Sequence, residues 1–404
     1  MHVLLISYFF PPLLAPEAMQ AERAVNAINK YFPQLNHNLS ILTVKPISSY
    51  GKKDKNIGID NYYRYEAFSI EYLYTPLYLL NKESRYFPDT RKGWIGPAIR
   101  KGKDIINNLL KNKEKIIIWS RAQPYSSHLV ALALKREFPD IPWVASFSDP
   151  WSSNPYAIMY SSINLQWEKK VLDNATILTC VTERMKNQFI KSYPSTEDRW
   201  RVLSHIYPED QQECIEDATP GPLTITYTGN FYGIRTPEPL FKALAYATAI
   251  QNDLKGKIEI RLVGELPPKW KNNISKYNLE GLIIHTEPVP QGEALKYIKF
   301  SDMLLLIDAD IQGSVFLPSK LVDYLAAKKP IISITPNEGV SWDILSKHGH
   351  FCFTHKDIEL LGKFFINLVK EYPKYKNRKF SRPNEFEPEE VAKNLFEIFS
   401  DSLK

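Results

Sequence analysis

The sequence predicts an α/β protein of two doubly wound, Rossmann-like domains that face each other across a cleft. Its 404 residues, 44% of them hydrophobic, are enough for two separate cores. Short apolar runs typical of buried parallel strands alternate with amphipathic stretches of helical spacing. This alternation is interrupted once, by the acidic and proline-containing segment PEDQQECIEDATPGP at 208–222, which we interpret as the domain junction.

The first domain, residues 1–207, begins with the apolar run VLLIS, which is typical of a strand in the centre of a parallel sheet. Runs of this kind predict strands at 3–7, 39–44, 116–119, 143–147 and 177–181. Helical spacing predicts helices at 21–28, 126–138, 163–172 and 184–193. An insertion rich in Tyr and Leu at 72–80, with the basic stretch after it, is either a lid packed on this domain or a membrane-surface patch.

The second domain, residues 208–387, repeats the alternation. Apolar runs predict strands at 223–228, 258–263, 282–285, 303–307 and 331–334. Helices are predicted at 237–250, 267–277, 291–300 and 358–372, with one more that starts at Pro318. The last segment, 388–404, is predicted to be an amphipathic helix, and its pattern fits packing on either domain.

Composition narrows the setting of the protein. Residues 1–7 lack the basic and long apolar regions of a signal peptide, and no run approaches the roughly 18 apolar residues of a membrane span. Cys180, Cys214 and Cys352 lack metal-ligand spacing, so we expect free thiols in a reducing cytosol. The net charge of +6 is local, because residues 82–115 hold ten basic and four acidic residues. We therefore expect a cytoplasmic protein.

The segment GSVFLPSKLVDYLAAKKPIISIT at 313–335 predicts a loop, a helix and a strand. A helix that opens at the carboxyl end of a buried strand directs free N–H groups and its positive dipole end at that edge, which favours phosphate. Lys320, next to Ser319 in the first turn, adds a positive charge. Asp323 lies on the same side and suits two ribose hydroxyls. A helix cap with an i,i+3 ion pair is the alternative interpretation.

Glycines and charged residues also follow other predicted strands. Gly229 and Gly264 follow two strands of the second domain, where a glycine lets a ligand approach the backbone. Arg235 comes just before a helix, and its guanidinium suits two phosphate oxygens, although a solvated loop cation is the alternative. In the first domain Asp149 follows an apolar strand, with Trp151 nearby, and is either a functional carboxylate or a cap.

Four motifs taken together resemble a known family. In chain order they are FFPP, PDIPWVASFSDPW, YTGNFYGIR and PSKLVDYLAAKKPII. They span nearly the whole chain and resemble the retaining GT-B glycosyltransferases of family 4, in particular the branches that build bacterial cell-surface polysaccharides. The resemblance implies hexosyl transfer, with retention, from a nucleotide-diphosphate sugar to a lipid-linked or saccharide acceptor.

The resemblance also implies roles for single residues. Arg235 matches the position that binds the donor diphosphate, and Asp323 matches the acidic residue that holds the donor ribose. Asn230 stands where the family has a second arginine, and Val315 stands where it has a glutamate for the donor sugar. The glycine pair of the first loop is absent at 15–17. A family histidine near the reacting sugar corresponds roughly to position 148 or 149.

The expected site therefore has a catalytic part and a donor-binding part. The residues expected to act in catalysis are Asp149, Arg235 and Lys320. The two cations would hold the charge of the leaving diphosphate. The residues expected to bind the donor are Gly229, Asn230, Arg235, Gly264, Ser319, Lys320 and Asp323. We expect no cofactor besides the donor and no metal, although Asp308 and Asp310 form an Asp-x-Asp triplet that is the alternative.

Other functions fit the sequence less well. A sugar-nucleotide epimerase of the same architecture needs acid and base residues around the sugar, and the loops offer few. His128 and His205 are interpreted as structural histidines. A non-catalytic ligand-binding protein is disfavoured by the arrangement of Lys320 and Asp323. Nucleic-acid binding is disfavoured because the basic stretch lacks strand-borne aromatic residues.

The basic stretch predicts a peripheral contact with an anionic membrane surface, the inner face of the cell membrane. Each Lys or Arg near anionic lipid contributes about 1 kcal/mol of attraction. Trp94 and the segment 72–80 are expected to add anchoring at the interface. The cations expected to contribute most are Arg91, Lys92, Arg100 and Lys101.

Overall fold

The computed structural model describes residues 1–13, 15–46, 61–70, 88–155, 162–208, 221–376 and 380–404. The chain divides into two compact units, the first formed by Met1–Tyr207 with Asn384–Lys404 and the second by Pro208–Pro383. Each unit contains one parallel sheet with helices in the connections between strands, which confirms the predicted fold class. No helix within the described ranges is long and apolar enough to cross a membrane.

The first unit is built on a seven-stranded parallel sheet in the order β3-β2-β1-β4-β5-β6-β7. Its strands are β1 (His2–Ile6), β2 (Leu39–Val44), β3 (Tyr63–Ala67), β4 (Ile116–Ala122), β5 (Trp143–Phe147), β6 (Ile177–Cys180) and β7 (Trp200–Val202). The sequence does not predict the two edge strands. β3 is largely exposed and carries polar residues, and β7 has three residues, so neither shows an apolar run.

Among the residues that the structure describes, five helices lie between these strands, and α2 lies in the basic stretch. They are α1 (Pro16–Tyr31), α2 (Ile95–Lys111), α3 (Ser126–Glu137), α4 (Ser162–Asn174) and α5 (Glu183–Ser192). Gly102 lets α2 pack tightly on α3, because a Cβ there would lie 2.6 Å from the Leu134 side chain. Ile105 and Ile106 are buried on the same helix. This part of the basic stretch therefore packs on its own domain.

Trp94, just before α2, belongs to the core of the first unit. Its side chain is 0% exposed, and its ring meets Tyr8 edge-on at 5.3 Å. The prediction that Trp94 anchors the protein in a membrane is therefore wrong, because a ring that anchors at an interface must reach the lipid. Segment 72–80 and the start of the basic stretch at 82–87 lie outside the described residues.

The second unit is built on a six-stranded parallel sheet in the order β10-β9-β8-β11-β12-β13. Its strands are β8 (Leu223–Thr228), β9 (Ile258–Val263), β10 (Ile283–Thr286), β11 (Met303–Ile307), β12 (Ile331–Ile334) and β13 (Phe351–Phe353). Its helices are α6 (Glu238–Ile250), α7 (Pro268–Lys276), α8 (Gln291–Phe300), α9 (Ser319–Ala326), α10 (Val340–Lys347) and α11 (Ile358–Lys376). β13 and α10 are not predicted from the sequence because both are short.

The strand order reverses at one place in each sheet. β1 lies between β2 and β4, and β8 lies between β9 and β11. At such a point the neighbouring connections run in opposite directions and leave a crevice at the carboxyl ends of the strands, where ligands of doubly wound folds bind. Each unit therefore offers one crevice of this kind.

The C-terminal helix α12 (Pro388–Ser402) packs on the first unit. Phe396 stacks on Phe32, at the end of α1, with ring centroids 4.4 Å apart. Phe399 meets Trp119 of β4 edge-on at 5.4 Å, and Leu395 has no exposed surface. The apolar face of α12 is therefore covered by the first unit, a choice that the sequence left open.

Candidate functional site

The loops that follow β8 and β9 in the second unit touch through their backbones. Gly229 has a φ of +127° and Gly264 a φ of +137°, in the region that favours glycine. A Cβ on Gly264 would lie 2.2 Å from the carbonyl oxygen of Gly229, far inside van der Waals contact. Glycine at 264 is therefore required for the two loops to meet, which is a different reason from the approach of a ligand.

Asn230 ties the same two loops together. Its side-chain oxygen accepts a hydrogen bond from the backbone N–H of Glu265 at 2.8 Å. The backbone N–H of Phe231 donates to the carbonyl oxygen of Glu265 at 2.9 Å. Asn230 is otherwise exposed. This contact fixes the shape of the loop that follows β8. Direct binding of the donor by the Asn230 amide stays a prediction.

Lys320 extends from the first turn of α9 toward the end of β8. Its Nζ donates a hydrogen bond to the Tyr227 hydroxyl at 2.8 Å and lies 4.1 Å from the centroid of that ring. A Cβ on Gly229 would lie 3.2 Å from this Nζ. The ammonium is therefore held between an aromatic face and a bare backbone. It is directed at Tyr227 and not at Asp323, in contrast to the i,i+3 ion pair that the sequence left open.

Burial lowers the pKa of Lys320 well below its usual value, and the neighbouring Arg235 lowers this pKa further. Asp308 acts in the opposite direction with a smaller effect. An ammonium whose charged form is disfavoured in this way gains strongly from an anion brought within reach. Binding of a phosphate group here would therefore raise the pKa of Lys320 and stabilise its charge.

Arg235 lies at the carboxyl end of the same crevice, after β8. Its guanidinium carbon is 5.4 Å from the centroid of the Tyr232 ring. Its Nη2 is 3.9 Å from Oδ1 of Asp308, which directly follows β11. The side chains of Arg235 and Asp308 are only 12% and 14% exposed. Arg235 is therefore a largely buried cation with defined neighbours, and the alternative of a solvated loop cation does not describe it.

The N-terminus of α9 is fixed against the end of β8. Tyr324 accepts hydrogen bonds at its hydroxyl oxygen from the Thr228 backbone N–H at 2.7 Å. The first turn, with Ser319 and Lys320, carries no acidic residue. Asp323, one turn further on, is half-buried. The predicted donor-binding residues Gly229, Lys320 and Arg235 thus meet at one sheet edge, with Ser319 and Asp323 on the helix beside it.

Asp149 of the first unit follows β5 in a loop with several attachments. Its Oδ2 accepts a hydrogen bond from Nε2 of Gln123 at 2.6 Å. Tyr125 donates from its hydroxyl to the Pro150 carbonyl oxygen at 2.8 Å and stacks on Trp151 with ring centroids 4.7 Å apart. Burial raises the pKa of Asp149 to about 7, and the negative charge of Glu17 raises it as well. Asp149 is therefore a positioned carboxyl that titrates near neutral pH.

Glu17 and Arg121 are two residues that the sequence analysis missed. Glu17 lies in the first turn of α1, after β1, and Arg121 lies near the end of β4, so they flank the crevice of the first unit. Burial raises the pKa of Glu17, and Arg121 lowers this pKa in part. Burial lowers the pKa of Arg121 to about 10. For Arg121 the signal available in the sequence was a charged residue beside the end of an apolar run, whereas Glu17 lies well past the end of β1 and has no such signal.

The two histidines considered from the sequence are both buried. His128 has no exposed surface, and Ser120 lies within hydrogen-bond distance of its Nδ1, at 2.8 Å. Burial lowers its pKa to about 3, so the ring is neutral. His205 is 6% exposed. Both observations agree with the structural interpretation of these residues.

Solved structures with this fold span essentially the whole chain. A sucrose-phosphate synthase from Thermosynechococcus elongatus matches with a TM-score of 0.68 at 12% identity, over 99% of this chain and 98% of its own. The lipopolysaccharide outer core galactosyltransferase WaaB matches with a TM-score of 0.59 at 13% identity, over 100% of both chains. The E. coli structure titled trehalose-6-phosphate, bound with UDP-2-fluoro glucose, matches with a TM-score of 0.67 at 11% identity, over 100% and 99%.

These solved structures share the two-domain GT-B fold of glycosyltransferases with this chain, and at such low identity the match concerns the fold alone. No protein-family model matches the chain, and no curated protein sequence matches it. The fold class expected from the sequence is therefore confirmed, whereas retention and membership of family 4 stay predictions.

Replacing Gly264 by Ala is expected to lower the free energy of unfolding by about 3–5 kcal/mol, because positive φ is strained for Ala and the Cβ overlaps the Gly229 carbonyl. Gly256→Ala is the matched control. Gly256 has a φ of +86° with no atom within 4 Å of the added Cβ, so we expect only about 1–2 kcal/mol. Chemical denaturation measures both, and equal losses would contradict the close contact between the loops.

Proposed function

We propose that the protein is a glycosyltransferase that moves a sugar from a nucleotide-diphosphate sugar to an acceptor hydroxyl, with retention at the anomeric carbon. The observation that carries this proposal is the meeting of two largely enclosed cations, Lys320 and Arg235, beside Gly229 at the crevice of the second unit. Cations, free helix N–H groups and a bare backbone are the features that bind a diphosphate. The shared fold of enzymes named as glycosyltransferases supports it.

We assign the donor to residues of the second unit. Lys320, Arg235 and the backbone at Ser319 bind the diphosphate, and the carboxylate of Asp323 accepts hydrogen bonds from the ribose. Gly229 leaves room for the Lys320 ammonium and for a phosphate. The contacts of Gly264 and Asn230 shape the loop that carries Arg235, so both act on the donor chiefly through that loop.

In the proposed reaction the bond between the anomeric carbon and the β-phosphate oxygen breaks, and its electron pair leaves on the diphosphate. A bond forms between the anomeric carbon and the acceptor oxygen, and the acceptor proton passes to the departing phosphate oxygen. Lys320 and Arg235 stabilise the negative charge that develops on the diphosphate. We propose no protein nucleophile and no metal in this step.

The crevice of the first unit is proposed to receive the acceptor. Asp149 and Glu17 accept hydrogen bonds from sugar hydroxyls when ionised, and Arg121 and Gln123 supply donors beside them. Two of the similar solved structures are described as an enzyme of the lipopolysaccharide outer core and one of lipopolysaccharide biosynthesis. These descriptions support, for this chain, a saccharide or lipid-linked acceptor in surface polysaccharide synthesis.

Lys320→Ala and Arg235→Ala are each expected to lower turnover by roughly a hundred-fold or more, because each removes a contact to the leaving diphosphate. Thermal stability should change little, since a buried cation is costly to desolvate. Lys242→Ala is the matched control, because Lys242 is an exposed cation paired with Glu238 on α6. The assay follows transfer from UDP, GDP and ADP sugars, with and without an acceptor.

Wild-type turnover in both variants would remove these cations from the site. Conversion of the sugar nucleotide into a different sugar nucleotide in the absence of an acceptor would indicate an epimerase of the same architecture. The proposal of sugar transfer would then be rejected. Dependence on an acceptor, together with loss of turnover in both variants, supports the proposed transferase.

The pH dependence of transfer tests Asp149. If its ionised form handles the acceptor, the rate at low acceptor concentration rises with pH and levels off above about 7, the pKa to which burial raises this carboxyl. Glu17→Gln removes the second cause of that elevation, so the midpoint should move to lower pH. Asp149→Asn should lower the rate and abolish its rise with pH. A midpoint that stays in place in Asp149→Asn would assign the titration to another group.

Contact with an anionic membrane stays a proposal, now without Trp94. Arg91 is also less suitable than predicted, because its guanidinium packs over the Tyr8 and Phe9 rings. Arg100, Lys111, Lys113 and Lys115 are the exposed cations in and after α2. Reversing these four to Glu should abolish salt-sensitive binding to vesicles with anionic lipid while nucleotide binding persists. Equal binding of the wild type to neutral vesicles would contradict the electrostatic contact.

A further inference from the structure

Asp308 places a carboxylate inside a site that is otherwise built from cations. It directly follows β11, the strand that borders β8 at the crevice of the second unit. Its Oδ2 accepts a hydrogen bond from the Ser341 hydroxyl at 2.6 Å. Its backbone N–H donates a hydrogen bond to the Ile334 carbonyl oxygen at 3.1 Å, and its own carbonyl oxygen lies 2.9 Å from Nε2 of His355. Asp308 is therefore held in place from three sides.

The contact of Asp308 with Arg235 is electrostatic and has no hydrogen bond. Nη2 of Arg235 is 3.9 Å from Oδ1 of Asp308, and this oxygen accepts no hydrogen bond among the residues that the structure describes. Both side chains are largely buried, so solvent screens their interaction weakly. Asp308 thus attracts Arg235 through charge, at a separation longer than a hydrogen bond.

The charge of the nucleotide changes in the proposed reaction. In the sugar nucleotide the β-phosphate is joined to the α-phosphate by an anhydride bond and to the sugar by an ester bond, and it carries one negative charge. Once the sugar has left, the β-phosphate is a terminal phosphate with a charge of about −1.5 to −2 at neutral pH. A fixed carboxylate next to the diphosphate therefore repels the product more strongly than the substrate.

We propose that Asp308 is a specificity-determining residue that disfavours the nucleoside diphosphate product relative to the sugar nucleotide. It does so by direct repulsion of the terminal phosphate and by competition for Arg235. The inference rests on the proposed function and deepens it, because it explains how two cations strong enough to hold a leaving diphosphate still release the product. Ser341, which fixes Asp308, is a positioning residue for this effect.

The arrangement also bears on the Asp-x-Asp alternative. A divalent cation on Asp308 would lie close to the guanidinium of Arg235, and repulsion between the two opposes binding. Asp310, the second carboxylate of the triplet, is 50% exposed and lies 3.6 Å from Nδ1 of His355. The two carboxylates thus have different neighbours, and Asp310 serves as a matched control of equal charge on the same loop.

Titration calorimetry of Asp308→Asn with UDP, GDP and ADP and with their glucose esters tests the proposal, in EDTA and again with Mg²⁺. Asn keeps the size of the side chain and an oxygen for Ser341. For the base that binds, we expect the diphosphate to gain about five- to thirty-fold more in affinity than the glucose ester, because its terminal phosphate carries about half to one additional negative charge that the carboxylate no longer repels. Asp310→Asn, whose charge is screened by solvent, should leave both affinities within about two-fold.

The outcomes separate this inference from the function on which it rests. Failure of all three diphosphates to bind the wild type would reject the proposed function and the inference together. If the wild type binds a diphosphate, but Asp308→Asn leaves both affinities unchanged or raises those for the diphosphate and the glucose ester equally, only the inference is rejected. If Asp308→Asn binds the nucleotides more weakly than the wild type with Mg²⁺ but not in EDTA, Asp308 is a metal ligand instead. Asp308→Ser, which removes the same charge with a smaller side chain, must reproduce the gain if Asp308→Asn proves unstable.

Discussion

The enclosure of two cations at one sheet edge is the constraint on which the rest of the second unit depends. Taking the Lys320 ammonium and the Arg235 guanidinium out of water costs free energy that their neighbours offset only in part. Tyr227 offers Lys320 a hydroxyl and a ring face, and Asp308 attracts both cations. The positive charge that these neighbours do not offset is the physical basis for the phosphate ligand that we propose. Replacing Tyr227 or Asp308 would remove a group that stabilises these cations. Such a change would therefore alter ligand binding as well as the stability of the fold.

The two units use the same topology with opposite chemistry. In both sheets the order reverses once, and polar groups gather at that crevice. The first unit places Glu17 and Asp149 there, two carboxyls whose pKa values burial raises toward neutrality. The second unit places Lys320 there, whose pKa burial lowers. Carboxylates suit the hydroxyl groups of a sugar, and enclosed cations suit phosphate, as the proposed transfer requires.

Much of this organisation could be predicted from the sequence because it follows from local pattern. Apolar runs predict the central strands. Lys320 could be recognised because a proline, a serine and an apolar face predict the start of its helix. Edge strand β3 is polar and therefore has no such signal. The site residues that were missed, Glu17 and Arg121, come together because β1 and β4 are neighbours, and strand order is not written in any single segment.

Two residues make contacts that the sequence did not predict. Gly264 was singled out as a place where a ligand approaches, but the atom that excludes a side chain is the carbonyl oxygen of Gly229. Trp94 was interpreted as an exposed anchor because basic residues surround it in the sequence, but its ring is in the core. In both cases the deciding contact comes from another element of the fold, so no spacing rule within the segment could reveal it.

The central claim is that the crevice of the second unit binds a nucleoside diphosphate through Lys320. Its most direct test is calorimetric titration of the wild type and Lys320→Ala with matched nucleoside mono- and diphosphates in buffers of different ionisation enthalpy. We predict that at least one diphosphate binds with proton uptake, because phosphate raises the depressed pKa of Lys320, and that Lys320→Ala loses both the uptake and most of the preference for diphosphate. Diphosphate binding that keeps its strength and its proton uptake in Lys320→Ala would contradict the account.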